Sequence, residues 1–144
     1  VWAATFHRGA FKYHPEYASV HFQPVYNSDR HSEDNFSTLW GFAESKDESL
    51  YLISQQKGLG KISRETGKVS FFDFFEKMDP AIHYWDIEID DQDNIWIASS
   101  AGLLVLKDTA KGLKLVNEYF KGIFIDYIFK SDSAIWLQEA VGHV

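Results

Sequence analysis

The chain has 144 residues, a net charge of −7, a pI near 5.3 and no cysteine. The length fits a single domain, and the acidic balance argues against nucleic acid or an anionic membrane surface as a partner. Without cysteine there is no disulfide framework and no cysteine-based metal site. No apolar run approaches the roughly 20 residues that span a bilayer.

A unit made of an aromatic residue and a following glycine occurs four times. The aromatic anchors are 49, 45 and 40 residues apart, and a glycine follows each after six or seven residues. Each anchor lies in a short run of alternating apolar residues, which is typical of a strand. Steps of about 40 to 50 residues with four short strands are typical of a propeller blade. The anchor pairs are Trp2 and Gly9, Tyr51 and Gly58, Trp96 and Gly102, and Trp136 and Gly142.

The strands predicted in chain order give an all-β fold. Aromatic residues, at 17% of the chain, favour such a core. We predict a partial β-propeller of about three and a half four-stranded antiparallel blades, part of a seven-bladed propeller, with blades at about 1–25, 36–74, 84–120 and 123–144. Residues 72–78 allow one turn of helix before Pro80. The predicted strands are 1–6, 10–14, 18–25, 36–43, 49–54, 58–63, 68–74, 84–89, 94–99, 102–107, 113–120, 123–129, 134–138 and 141–144.

Three and a half blades do not close a ring, because propellers need about four to eight. An unclosed array leaves apolar faces and sheet edges bare. We therefore expect the remaining blades of the same propeller, or a second copy of the chain, to cover them. We also expect the chain to be a segment of a longer polypeptide, because it opens and closes inside a repeat.

One face of the predicted propeller carries the turns between second and third strands and the connections between blades. Aromatic rings stack on sugar rings, and Arg, His and Gln give directional hydrogen bonds to hydroxyl groups. The alternative is that the aromatic residues, Trp40 and Trp85 included, pack between blades and that the charges are solvated. The predicted ligand-binding residues of this rim are Arg8, Arg30, His31, Lys57, His83, Tyr84 and Trp85.

The sequence predicts no catalytic residue, no metal and no cofactor. The six histidines lack the close spacing of zinc ligands, and the turn 90–94 lacks the Gly and Glu of a calcium loop. Ser54 and Ser99 end anchor strands but lie outside any Gly-x-Ser-x-Gly elbow. The acids considered form no paired set: Glu44, Glu76, Asp79, Glu88, Asp126 and Glu139.

The run NIWIASSAGLLVL at 94–106, after an aspartate-rich turn, resembles the two-component regulator propeller repeat. That family has a polar turn, a hydrophobic-Trp-hydrophobic strand, a small residue and a Gly-Leu strand. Residues 50–72 match it as well but carry Tyr51 in place of Trp, and residues 1–13 and 135–144 match in part.

The resemblance implies the extracytoplasmic sensor region of a hybrid two-component regulator of Bacteroidetes. Such a region lies on the periplasmic side of the inner membrane and senses oligosaccharides, while a histidine kinase and a DNA-binding regulator lie inside. This segment would bind ligand or transmit its binding without catalysis. It would bind no nucleic acid itself and would meet the membrane only through the full-length protein.

Two alternatives stay open. Residues 50–74 are also similar to the repeat of the streptogramin lyase propellers, which use a metal-assisted histidine on the rim; here that residue would be His83. The other alternative is a protein-interaction scaffold, since a fold alone does not fix a function.

Overall fold

The computed structural model describes the backbone of residues 2–5, 9–14 and 19–23, and residues 39–140 except 56, 64 and 67. In these residues, thirteen strands form four antiparallel sheets, and the only helix is a single 3-10 turn at Phe75–Lys77. None of the described residues lies in a helix long and apolar enough to cross a bilayer. Sheet 1 contains β1 (Trp2–Thr5), β2 (Gly9–His14) and β3 (Ser19–Gln23); sheet 2 contains β4 (Leu39–Glu44), β5 (Leu50–Ser54), β6 (Gly58–Ile62) and β7 (Val69–Phe71); sheet 3 contains β8 (Tyr84–Ile89), β9 (Asn94–Ser99), β10 (Gly102–Thr109) and β11 (Gly112–Tyr119); sheet 4 contains β12 (Ile125–Lys130) and β13 (Ile135–Glu139).

The all-β prediction is confirmed for the described residues. Every strand in them falls within three residues of a predicted one at each end. Within each sheet, consecutive strands along the chain pair with one another. The predicted strand 141–144 and Gly142 lie outside the described residues, as do the side chains of sheet 1, including Trp2.

The strand predicted at 68–74 is shorter in the structure, where β7 ends at Phe71. The Phe72 N–H still donates to the Leu59 carbonyl, but the chain then turns into the 3-10 helix. This turn brings the ring of Phe75 over Gly58, where an added Cβ would lie 2.3 Å from Phe75 Cγ. The aromatic residues after β7 therefore pack back onto the core instead of extending the strand.

Sheets 2 and 3 are apolar on both faces, as a sheet between two neighbours must be. In β5, Tyr51 and Ile53 belong to the cluster shared with sheet 3, while Leu50 and Leu52 belong to a cluster on the opposite face of sheet 2. In sheet 3, Ala98 and Leu103 belong to the cluster shared with sheet 4, while Ile97, Leu104 and Leu106 belong to the cluster shared with sheet 2. All five residues of β5 are buried.

The four sheets follow one another in chain order, and their first strands lie side by side. Strand β1 contacts β4, strands β4 and β5 contact β8, and strands β8 and β9 contact β12. We call β4, β8 and β12 the inner strands. Polar bonds add to these contacts: the Lys46 N–H donates to Asp93 Oδ1 at 3.0 Å, and Lys130 Nζ lies 2.7 Å from Asp91 Oδ1.

The three anchors with described side chains are held in different ways. The Trp96 indole N–H donates to Asp90 Oδ2 at 2.9 Å, inside its own sheet. Trp136 reaches Ser131 Oγ in the same manner, at 3.3 Å, although its side chain is 63% exposed. Tyr51 is buried, and its hydroxyl crosses to the next sheet, where it donates to Asp108 Oδ2 at 2.8 Å.

Candidate functional site

Four of the seven predicted rim residues lie in the described part of the chain, at the end of the sheets that carries the β5–β6 and β9–β10 turns. Lys57 follows β5, with its amine 5.8 Å from the ring centre of Phe71. His83 precedes β8, and its N–H donates to Ser100 Oγ at 3.0 Å. Arg8, Arg30 and His31 lie outside the described residues.

Tyr84 is placed differently from the prediction, because its side chain is core and not rim surface. It is 2% exposed, and its ring meets the edge of Phe75 at 4.9 Å between ring centres. Burial, with a smaller effect from Asp79, raises the pKa of its hydroxyl to about 12. The sequence could not separate Tyr84 from Trp85, because the direction of each side chain depends on the strand pairing.

Trp85 stands at the centre of a group of rings that we call the inner aromatic cluster: Trp40, His83, Trp85 and Phe124. The ring centre of Trp85 lies 5.2 Å from that of Trp40 and 5.4 Å from that of Phe124. His83 meets Trp85 edge-on at 6.3 Å. The cluster joins the beginnings of three inner strands, and Trp40 is its exposed member at 41%.

An irregularity repeated in the inner strands explains this arrangement. The pairing of each inner strand with the next strand skips one residue near its beginning: Trp40 in β4, Trp85 in β8 and Asp126 in β12. A skipped residue leaves the ladder, and its side chain is re-aimed. Sequence reasoning included Trp85 among the binding residues but missed the equivalent position of Trp40, although the two are 45 residues apart, as are Tyr51 and Trp96.

Asp86, next to Trp85, links sheet 3 to sheet 4 and lies against Gly41 of sheet 2. Its Oδ2 accepts the Ile128 N–H of β12 at 2.9 Å, and its Oδ1 accepts the Ile87 N–H. On the other side an added Cβ at Gly41 would lie 2.9 Å from Oδ1, so only glycine leaves room for this carboxylate. Burial, with smaller contributions from Glu88 and Asp126, raises the pKa of Asp86 to about 6, although the two N–H groups act against it.

Three buried polar atoms of the described residues have no hydrogen-bond partner, and all three are near the beginnings of inner strands. They are the Tyr84 hydroxyl, the Trp85 indole nitrogen and Asp126 Oδ1. Most buried polar groups in proteins are paired, so an unpaired donor and an unpaired acceptor in neighbouring strands call for an explanation.

The two serines at the ends of anchor strands cap the turns that follow them. Ser99 Oγ donates to the Gly102 carbonyl at 2.7 Å and accepts the Ala101 N–H, while Ser54 Oγ accepts the Lys57 N–H. Within the residues that the structure describes, no group of three His, Cys, Asp or Glu side chains is placed to hold a metal.

Two shallow clefts open between sheets 2 and 3, away from the inner aromatic cluster. One, of about 400 Å³, is lined mainly by Phe71, Phe72, Phe74, Lys77 and Lys111. The other, of about 230 Å³, contains the ion pair between Lys61 and Asp108. Among the predicted rim residues described, none lines either cleft.

A solved structure shares this fold. It is the crystal structure of the extracellular domain of a protein assigned as a one-component system, from B. thetaiotaomicron. The match covers 96% of this chain and 18% of that one, with a TM-score of 0.59 and 16% sequence identity. The chain thus spans less than a fifth of the length of this structural neighbour, and at such an identity the likeness concerns the fold alone. No family model and no curated protein matches the chain.

Proposed function

We propose that this chain is a non-catalytic segment of the extracytoplasmic sensor of a hybrid two-component regulator, and that it binds oligosaccharide or passes on its binding. The observation that carries the proposal is the likeness of almost the whole chain to part of an extracellular domain assigned to a signalling protein. The inner aromatic cluster supports the ligand class, because the exposed indole ring of Trp40 is suited to stacking on a sugar.

We further propose that the sheets are successive blades of a β-propeller. In sheets 2 and 3 the face that carries the anchor, Tyr51 or Trp96, is packed against the next sheet. The same face of sheet 4 carries Trp136 with Tyr127 and Phe129, all more than half exposed. Either a further blade of the same propeller or a sheet of a second copy would continue the pattern by covering this face.

In this proposal, signalling is a shift between two arrangements of the sensor, driven by the ligand's preference for one of them. The test is a calorimetric titration of the intact protein with a panel of neutral and acidic oligosaccharides. We expect saturable binding of one structural class. Silence across the whole panel would overturn the ligand class while leaving the fold assignment untouched.

Location needs a separate experiment. We expect the segment to lie on the periplasmic side of the inner membrane, so a protease added to spheroplasts should cleave it while a cytoplasmic marker stays intact. Protection of the segment until the inner membrane is broken would contradict the sensor proposal.

A further inference from the structure

The skipped residues of the inner strands occupy equivalent positions. Trp40, Trp85 and Asp126 each lie one residue after the first paired residue of their strand. The rings of Trp40 and Trp85 touch, so the skipped position of one inner strand lies beside that of the next. Asp126 thus stands where a third tryptophan would continue the row, and its charge acts on Asp86 of the neighbouring strand.

The last two members of this row carry complementary unpaired atoms. The Trp85 indole nitrogen is a donor without an acceptor, and Asp126 Oδ1 is an acceptor without a donor. Among the described residues, the second carboxylate oxygen of Asp126 is bonded to the side-chain amide of Gln138 alone, at 3.5 Å. A hydroxyl group can both accept and donate, so a molecule with several hydroxyl groups can satisfy both atoms.

We propose that Trp40, Trp85 and Asp126 form a binding site for a neutral, hydroxyl-bearing ring such as a pyranose. The inference rests on the proposed sensor function and assigns its ligand contact to the inner strands. The Trp40 side chain rotates as the sugar enters, and its indole stacks on the face of the sugar ring. The Trp85 N–H donates to one hydroxyl of the sugar, and Asp126 Oδ1 accepts from another.

The charge around the site selects against acidic sugars. Near the beginnings of strands β4, β8 and β12 the charged residues are the acids Asp86 and Asp126. Glu88 is farther along β8, and the single cation of these strands, Lys130, is at the far end of β12. The amine of Lys130 is bound to Asp91 in the turn before β9. A carboxylate or sulfate on the ligand would meet like charge without a matching cation on these strands.

The test compares galactotriose with trigalacturonate, which differ in the oxidation of C6, and adds neutral trisaccharides of glucose, mannose and xylose. Binding to the intact protein is measured by calorimetry for four variants. Trp40→Ala removes the stacking face, Trp85→Phe removes the N–H together with one of the two fused rings, and Asp126→Asn removes the charge. Phe120→Ala is the control, because this half-exposed ring lies outside the row.

We expect a neutral trisaccharide to bind and trigalacturonate to bind at least about tenfold more weakly. Trp40→Ala should weaken binding about tenfold and Trp85→Phe about threefold, while Phe120→Ala should have no effect. Asp126→Asn should reduce the difference in affinity between neutral and acidic trisaccharides. Near-ultraviolet circular dichroism of each variant will show whether the fold is retained.

Two results would overturn the inference. If a trisaccharide binds but the three variants of the row bind it like the parent, the site lies elsewhere and the sensor proposal stands. If trigalacturonate binds more tightly than galactotriose, the proposed selectivity is wrong. Absence of binding by every sugar would overturn the proposed ligand class together with this site.

Discussion

Asp86 makes the stability of the fold depend on pH. Its pKa, raised by burial to about 6 from 3.8, means that the folded chain binds this proton more tightly than the unfolded chain. The contribution to stability is therefore complete below about pH 4 and is lost as the pH rises through about 6.

We expect Asp86→Asn, which cannot ionise, to gain stability relative to the parent as the pH rises from 4 to 7. The difference in pKa between 3.8 in the unfolded chain and about 6 in the folded chain corresponds to a gain of at most about 3 kcal/mol in the free energy of unfolding. Urea unfolding followed by tryptophan fluorescence at several pH values will measure it. A difference between variant and parent that stays constant over this pH range would contradict the account.

Tyr51 is more than a degenerate copy of the tryptophan anchors. Its hydroxyl donates to Asp108 of the next sheet, and Lys61, whose amine lies 5.1 Å from its ring centre, binds the same carboxylate at 3.0 Å. Trp96, by contrast, donates its N–H to Asp90 in the turn before its own strand. Tyrosine at this anchor therefore links sheets 2 and 3.

The Tyr51→Phe variant should lose about 1 to 2 kcal/mol of stability, because the Asp108 carboxylate loses one of its donors. The matched control is Tyr127→Phe, whose side chain is 52% exposed on sheet 4 and should change stability by less than about 0.5 kcal/mol. Chemical denaturation of both variants measures the two changes in stability. Equal losses of stability would contradict the role of Tyr51 in linking sheets 2 and 3.

At the scale of the element, two glycines allow the cost of an unfavourable backbone conformation to be measured separately from the cost of a steric clash. Gly58 and Gly122 have φ of +71° and +79°, a region that favours glycine. An added Cβ at Gly58 would overlap the ring of Phe75, whereas at Gly122 it would meet nothing within 4 Å.

Gly122→Ala should therefore cost about 1 kcal/mol, and Gly58→Ala about 1 to 3 kcal/mol more. Thermal unfolding of each variant measures the two costs. Combining Gly58→Ala with Phe75→Leu should cost less than the sum of the single changes, because the smaller side chain removes the overlap. Strict additivity would mean that Phe75 is not the obstacle.

The strands themselves could be predicted from the sequence, because alternation, polar turns and the repeated glycine all act locally. Gly58 and Gly102, the glycines of two repeat units, have positive φ at the turns that follow β5 and β9. The end of β7 could not be predicted, because Phe72 and Phe74 continue the aromatic run while the chain already turns back toward Gly58.

The site was predicted only in part, for a similar reason. His83 and Trp85 were among the predicted rim residues, and both lie in the inner aromatic cluster. Trp40 was interpreted as packing and Asp126 as one of several unpaired acids. Their shared position depends on which residue is skipped in the strand pairing, and no local sequence pattern indicates that residue.

At the scale of the whole molecule, the open face of sheet 4 should control association. Residues 1–144 produced alone should self-associate, because Tyr127, Phe129 and Trp136 present apolar surface to water. Light scattering after size exclusion measures the mass. Replacing the three residues by serine should shift the population toward monomer, whereas serine at Leu115 and Val116 of β11 should not. A stable monomer of the unmodified chain would count against the covering blade.

Within each sheet, strands pair only with strands adjacent in the chain, and this has a consequence for how the molecule forms. No strand pairing in the described sheets involves segments that are distant in the chain, so each hairpin closes a short loop at small entropic cost. Sheets 2 and 3 can thus take shape one after the other during synthesis. The slow step that remains is the docking of completed sheets face to face.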